Sequence, residues 1–340
     1  MPSVRTIVRH RGPWPTLSVL AAAALLACGP SADGASVRVK IPAGATFAAA
    51  ADSLARAGVI GSPRLFRIWA GATGRDRSLQ PGTYMLHKGA NWGDLIENLT
   101  SGRGIVVSVT IPEGYDIAAI TRALTRVLEI PADSMAAAVS DSSLRRRLGI
   151  PDDVVTIEGY LFPETYVFGN GTDAREAVET MVGQFEKEWR PEWTARLDTL
   201  RMTRNEVMAL ASIVEKEAMV AEERPIIAAV YRNRLQRGML LQADPTVQYA
   251  LGERVDRVLY KHLEVESRYN TYRHAGLPPG PIASPGTASI VAALYPADVP
   301  YLYFVARPDG HHEFRRTFAE HTAAIRQIRR ERSTLREPAR

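Results

Sequence analysis

The strongest constraint on the fold is an internal repeat. Residues 37–55, VRVKIPAGATFAAAADSLA, and residues 107–125, VSVTIPEGYDIAAITRALT, share V-x-V-x-I-P-x-G. Each then runs on with Phe47 or Ile117, an alanine pair at 48–49 or 118–119, and Leu54 or Leu124. Alternation of apolar residues predicts a half-buried strand, and Pro-x-Gly a turn. Thr46 or Asp116 stands where a helix N-cap is needed. Each copy is followed by a second related stretch, PGTYMLHKGANWGDLIENL at 81–99 and PETYVFGNGTDAREAVETM at 163–181. Thr-Tyr opens a short strand there, a Gly/Asn loop follows, and a helix closes the unit. Four elements in matching order predict two related α+β units rather than a chance recurrence. The first spans 37–104. The second opens a larger region, 105–332, of mixed α/β character.

Beyond residue 200 the pattern becomes helical. Thr203 and Glu206 form a T-x-x-E capping box ahead of apolar residues at 207, 210, 211, 214 and 218, the stripe of a core-facing helix. In the run LASIVEKEA, Lys216 falls opposite the stripe, while Glu215 and Glu217 land on its two edges. EERPIIAAVYRNRLQRG predicts a second helix ending at Gly238. DPTVQYAL predicts a third, with Asp244 as N-cap and Pro245 at the first helical position. YNTYRHAGLPPGPIASPG is too rich in Pro and Gly for regular structure. YLYFVARPDGHHEFRR predicts a hairpin around residues 308–310, and Thr317 with Glu320 a capping box before the last helix.

A chain of 340 residues with 46% hydrophobic and 23% charged residues is globular in composition, not disordered or integrally membranous. Net charge is +5, concentrated in the C-terminal run, with residues 333–340 a basic tail. Without aromatic interleaving or a nucleic-acid motif, that charge predicts no nucleic-acid partner. The one cysteine, Cys28, excludes an internal disulfide. Arg5, Arg9 and Arg11 precede an apolar run at 16–27 that ends in Leu-Leu-Ala-Cys. The run is shorter than the ~20 residues a spanning helix needs. Residues 1–28 are therefore read as an export segment, and L-L-A-C resembles a lipobox whose cysteine is lipidated. A lipid anchor is favoured over an uncleaved transmembrane signal anchor, and either tethers the chain outside the cytoplasm. Residues 29–36 are a spacer.

Candidates for chemistry cluster in the second region. They are Glu158 and Tyr160 in EGYLFPETY, Glu215 and Glu217, then Gln242, Asp244, Thr246 and Tyr249, and Asn270 and Tyr272. Carboxylates, amides, hydroxyls and aromatic rings are the groups that grip a sugar polymer. HHEF at 311–314 is not H-E-x-x-H, and consecutive strand residues face opposite ways, so no metal site is expected. With no G-x-S-x-G and no glycine-rich phosphate loop, the expectation is cofactor-free chemistry carried by a carboxylate.

EGYLFPETY, LASIVEKEA, RNRLQRGMLLQADPTVQYA, YNTYRHAGLPPGPIASPG and YLYFVARPDGHHEF resemble, in order and spacing, the endolytic murein transglycosylases, the YceG-like family. The resemblance covers about residues 105–325. It implies a LysM-like unit at 37–104 ahead of a YceG-like catalytic domain at 105–332. It also implies lytic cleavage of the β-1,4 bond between N-acetylmuramic acid and N-acetylglucosamine in nascent strands, leaving 1,6-anhydro ends. Peptidoglycan glycan strands are the implied partner, with cell-wall synthases (penicillin-binding proteins) beside them. The implied site is the outer face of the inner membrane, on the periplasmic side. The family's members usually carry an N-terminal transmembrane helix, from which the short run before Cys28 departs.

By the same resemblance the catalytic acid is Glu215, the first Glu of V-E-K-E. Such an acid donates a proton to the glycosidic oxygen and recovers one from the sugar's C6 hydroxyl. An apolar setting that raises its pKa is expected. Glu217 meets the same geometric criterion, so helix geometry alone leaves the choice open. Gln242, Asp244, Thr246, Tyr249, Asn270 and Tyr272 are expected to line the substrate groove, and the resemblance sets Glu158 and Tyr160 at its border as further substrate-binding residues. Glu217 is expected either to bind substrate or to support Glu215 structurally. Two rival readings are a non-catalytic glycan-binding scaffold, and a hydrolase using Glu217 or Glu158 as its second carboxylate.

Overall fold

The structure is a computed structural model that describes residues 35–75, 79–252, 255 and 257–334. Cys28, the export segment and most of the basic tail lie outside the described residues. The chain divides into two compact units between Val106 and Val107. Among the described residues the architecture is α+β, with three two-stranded sheets among many helices.

The first unit is β1 (Ser36–Ile41), α1 (Phe47–Arg56), α2 (Pro63–Ala72), β2 (Gly82–His87) and α3 (Trp92–Ser101). Strands β1 and β2 pair antiparallel with Val39 opposite Tyr84. Their inward residues Val39, Ile41, Tyr84 and Leu86 join Leu54, Phe66, Leu95 and Leu99 in one core. The second unit opens on the same plan. It begins with β3 (Val106–Thr110), α4 (Ile117–Leu128), α5 (Ala132–Val139) and α6 (Ser142–Leu148). Then come β4 (Thr165–Gly169), which pairs with β3, and α7 (Ala174–Glu188).

The repeat extends to individual bonds. Thr46 accepts from Ala49 N in α1, and Asp116 from Ala119 N in α4. Tyr84 donates its hydroxyl to Gln80 O at 2.7 Å, and Tyr166 donates to Phe162 O at 2.5 Å. Gly44 and Gly114 both take the left-handed conformation, at φ +74° and +76°. Glycine reaches that region without the Cβ clash that other residues meet.

The rest of the second unit is α8 (Pro191–Leu200), α9 (Arg204–Glu217), α10 (Arg224–Gln236), α11 (Asp244–Leu251), α12 (Thr287–Leu294), β5 (Tyr303–Ala306), β6 (His312–Arg315) and α13 (Phe318–Thr334). Helix α9 starts at the Thr203–Glu206 capping box and is buried from Val207 to Val214. It packs between α10 and α12. Hairpin β5–β6 pairs Tyr303 with Arg315 and Ala306 with His312. Asp244 is not the cap of α11. That position falls to Ala243, and Asp244 is the first helical residue.

The Pro/Gly-rich segment is irregular but firmly held, because polar side chains on one face of α9 bind its backbone. Asn205 donates to Pro279 O, Ser212 accepts from Ile282 N, and Glu215 accepts from Gly286 N. Spacings of seven and three residues keep these groups on one side of the helix. A buried segment without regular structure needs such partners for its backbone. This segment thereby carries Ser284, Gly286 and the start of α12 to the last turn of α9.

Candidate functional site

Glu215 lies in the last turn of α9, with its side chain 8% exposed. Its Oε2 accepts from Gly286 N at 3.1 Å and from the Ser289 hydroxyl at 2.7 Å. Gly286 caps the N-terminus of α12, where backbone donors and the helix dipole favour an anion. Arg224, at the start of α10, stands 3.7 Å from Oε1 and donates through Nε to Ser289 Oγ. The expected apolar wall is therefore replaced by donors. Its ion-pair partner is Arg224. Arg234 donates to the carbonyls of Leu302 and Leu241.

Glu217, two residues on, turns into different surroundings. Its Oε1 accepts from the Tyr231 hydroxyl at 2.8 Å. Burial pushes its pKa up to about 7, helped by Asp244 and opposed by the Tyr231 bond and Arg234. Asp244 in turn accepts from the Tyr272 hydroxyl at 2.6 Å. Glu217, Asp244, Tyr231 and Tyr272 thus form one polar group beside the end of α9.

Glu158 sits in a third setting. It accepts from Ile117 N and Gly159 N, and more distantly from the Tyr249 hydroxyl at 3.4 Å. Burial raises its pKa to about 8. The Tyr249 ring lies 4.8 Å from that of Tyr269, and both line a cleft of about 200 Å³ with Arg268 and Pro279.

The remaining sequence candidates divide by exposure. Gln242 is exposed, with φ +49°, and its backbone N donates to Thr271 O. Thr246 is fully buried, donating to Ala243 O and bonded to Thr271 Oγ1. Asn270 is fully buried too, its amide donating to Leu263 O and Val265 O while its oxygen accepts from Tyr272 N. Tyr160 is buried against Phe185 and donates to Asn205 Oδ1. These last three spend their polar atoms on the protein and build the frame around the site.

Glu113 escaped the sequence reading. It belongs to the I-P-E-G turn between β3 and α4, and is exposed. Gly114 N donates to Ser284 O at 2.8 Å, and Ser284 N donates back to Tyr115 O at 2.7 Å. That clasp lays the Glu113 carboxylate over Gly286, where a Cβ would lie 1.8 Å from its Oε1. Burial of the carboxyl raises its pKa, Glu215 adds to the rise, and Arg224 opposes it. A signal was present, since Glu113 occupies the place held by Ala43 in the first copy of the repeat.

Comparisons with known proteins bear on this geometry. The model of the YceG-like family matches residues 39–327. An endolytic murein transglycosylase of Bacillus subtilis is 35% identical, over 85% of this chain and 83% of its own. One from Streptococcus pneumoniae is 29% identical over 79% of this chain, which spans 54% of that longer protein. The crystal structure of a YceG-like protein from Listeria monocytogenes superposes with a TM-score of 0.60 at 31% identity, covering 86% of this chain and 99% of that one. A family match spanning the greater part of both units, and a fold shared at that identity, place the chain in the YceG-like family.

Proposed function

We propose that this chain is an endolytic murein transglycosylase that cuts peptidoglycan glycan strands, with Glu215 as its acid and base. The class of activity rests on the family and on the names of the relatives. The observation that carries the residue assignment is the held carboxylate of Glu215, fixed by Gly286 N and Ser289 Oγ beside Arg224. The bond cut is the β-1,4 link between N-acetylmuramic acid and N-acetylglucosamine. Glu215 protonates the glycosidic oxygen as that bond breaks. The C6 hydroxyl of the same muramic residue then closes on C1 and returns its proton, leaving a 1,6-anhydro end. Because that hydroxyl replaces water, no water-activating base is required.

On this reading Gln242, Asp244, Tyr249 and Tyr272 contact sugar. Tyr160, Thr246 and Asn270 hold the frame behind them, and Glu217 and Glu158 tune the surrounding charge. Residues 37–104 serve as a LysM-like grip on the strand. Lipidated Cys28 tethers the enzyme to the inner membrane on its periplasmic side, close to cell-wall synthases. Among the described residues no helix is long and apolar enough to cross a membrane.

Mass spectrometry of digested uncrosslinked glycan tests the reaction. Anhydro ends support it, reducing ends indicate a hydrolase, and an uncut polymer indicates a binding scaffold. For the tether, Cys28→Ala should block processing and leave a slower-migrating full-length form. Unchanged mobility and membrane retention would favour a signal anchor.

A further inference from the structure

We propose that Glu113 is a second catalytic carboxylate, working on the glycosidic bond as a pair with Glu215; the proposal rests on the transglycosylase reading above. Three observations carry it. The first is placement. The turn bearing Glu113 is clasped to Ser284 by two backbone bonds, and Lys216 Nζ donates to Gly114 O at 3.2 Å. Gly114 Cα approaches the helix so closely that a Cβ there would lie 3.7 Å from Glu215 Cγ. The two acids thus arrive from different elements at one point, Gly286. Glu215 touches its backbone N, and Glu113 covers its Cα face.

The second observation is availability. Oε2 of Glu215 is engaged by two donors, and Oε1 faces Arg224. Glu113 is an exposed residue whose carboxylate rests on the Cα face of Gly286, and among the described residues it accepts no hydrogen bond. Its oxygens are therefore not committed to a donor of the protein and can turn to a bound sugar. The third is the glycine itself. Gly286 has φ −75°, which any residue adopts, so backbone conformation does not demand glycine there. What demands it is the Glu113 carboxylate, which fills the Cβ position.

Burial and the neighbouring charge of Glu215 disfavour ionisation of Glu113, with Arg224 opposing, so Glu113 retains a proton more readily than an isolated carboxyl. The charged groups facing Glu113 are Glu215 and Arg224, with Lys216 and Asp116 flanking the turn. In the reaction the pair gives that proton to the glycosidic oxygen, and the C1–O bond breaks with its electrons moving to the leaving oxygen. The C6 oxygen then bonds to C1, and its proton returns to the pair. The charged member of the pair meanwhile faces the positive charge that develops on the ring, a role that requires contact with substrate.

The experiment measures kcat, KM and the pH profile of the full chain on uncrosslinked glycan strands, with a carboxyl-carbon NMR titration alongside. Glu113→Gln should lower kcat at least a hundredfold with KM within about threefold, and shift the acidic limb of the profile. Glu113→Asp should recover part of the loss. Gly286→Ala, by displacing the carboxylate, should reproduce the Glu113→Gln defect at wild-type folding. Wild-type kcat and profile in Glu113→Gln would overturn the proposal. The titration is independent of activity: in Glu215→Gln the Glu113 midpoint should fall. An unmoved midpoint would overturn the pairing, whereas a wild-type chain that cuts no glycan would overturn the transglycosylase reading instead.

Discussion

Ser289 donates its hydroxyl to Glu215 Oε2 at 2.7 Å, tying the first turn of α12 to the last turn of α9. The same hydroxyl oxygen accepts from Arg224 Nε at 3.1 Å, so one serine orders both an acid and its counter-charge. Glu215→Gln keeps the acceptor oxygen but removes the transferable proton. Its turnover should fall by ~10²–10⁴-fold with melting near wild type. Ser289→Ala should lose about tenfold, since it loosens the acid without removing it. Both are read as anhydro ends formed per unit time. A larger loss in Glu217→Gln than in Glu215→Gln would move the acid role across the helix.

Glu158 makes stability depend on pH in an unusual sense for a carboxyl. Its folded pKa is raised from 4.5 to about 8, chiefly by burial. Between those values the folded chain holds a proton that the unfolded chain has lost, so this group's contribution falls as pH rises. Glu158→Gln removes the effect. Urea unfolding at pH 5, 6.5 and 8.5 should show the variant gaining on wild type as pH increases. At ~1.4 kcal/mol per pKa unit the relative gain is at most a few kcal/mol. A difference independent of pH would show that Glu158 is not buried as described.

Tyr84 and Tyr166 are equivalent staples in the two copies of the repeat, each donating to the carbonyl four residues earlier. Replacement by Phe leaves that carbonyl short of a donor and should cost ~1–2 kcal/mol. Because the cores of the two units are separate clusters, calorimetry of Tyr84→Phe should lower the transition of the first unit and spare the second. Deleting residues 37–100 should likewise leave a folded protein that cuts glycan, with weaker hold on the polymer. Loss of the second unit's fold on deletion would mean that the units share a core.

Asn270 saturates three half-buried backbone groups, at Leu263, Val265 and Tyr272. Asn270→Ala strips them of partners and should destabilise by ~1–3 kcal/mol. With the frame restored at low temperature, kcat should approach wild type. A kcat defect that persists at full folding would return Asn270 to the substrate groove.

What was legible in the sequence follows from how far each signal reaches along the chain. The caps at Thr46, Asp116 and Thr203 each satisfy a donor three residues away, and were legible for that reason. So was the β5–β6 hairpin, set by a turn of a few residues. Asp244 missed by one position: it is the first helical residue, and its carboxylate accepts from the Tyr272 hydroxyl 28 residues away instead of capping the helix. The family could be recognised from ordered blocks, and Glu215 on α9 could be singled out with it. Its surroundings could not, because Gly286 and Ser289 lie 71 and 74 residues beyond Glu215. Periodicity places a carboxylate on the rim of a helix but carries no information about which donors will face it. Packing of α12 against α9 decided that Glu215 meets a helix N-terminus, whereas Glu217 meets a buried tyrosine. Packing also brought Glu113 from the repeat's turn onto Gly286, since only the folded backbone sets a residue at 113 beside one at 286.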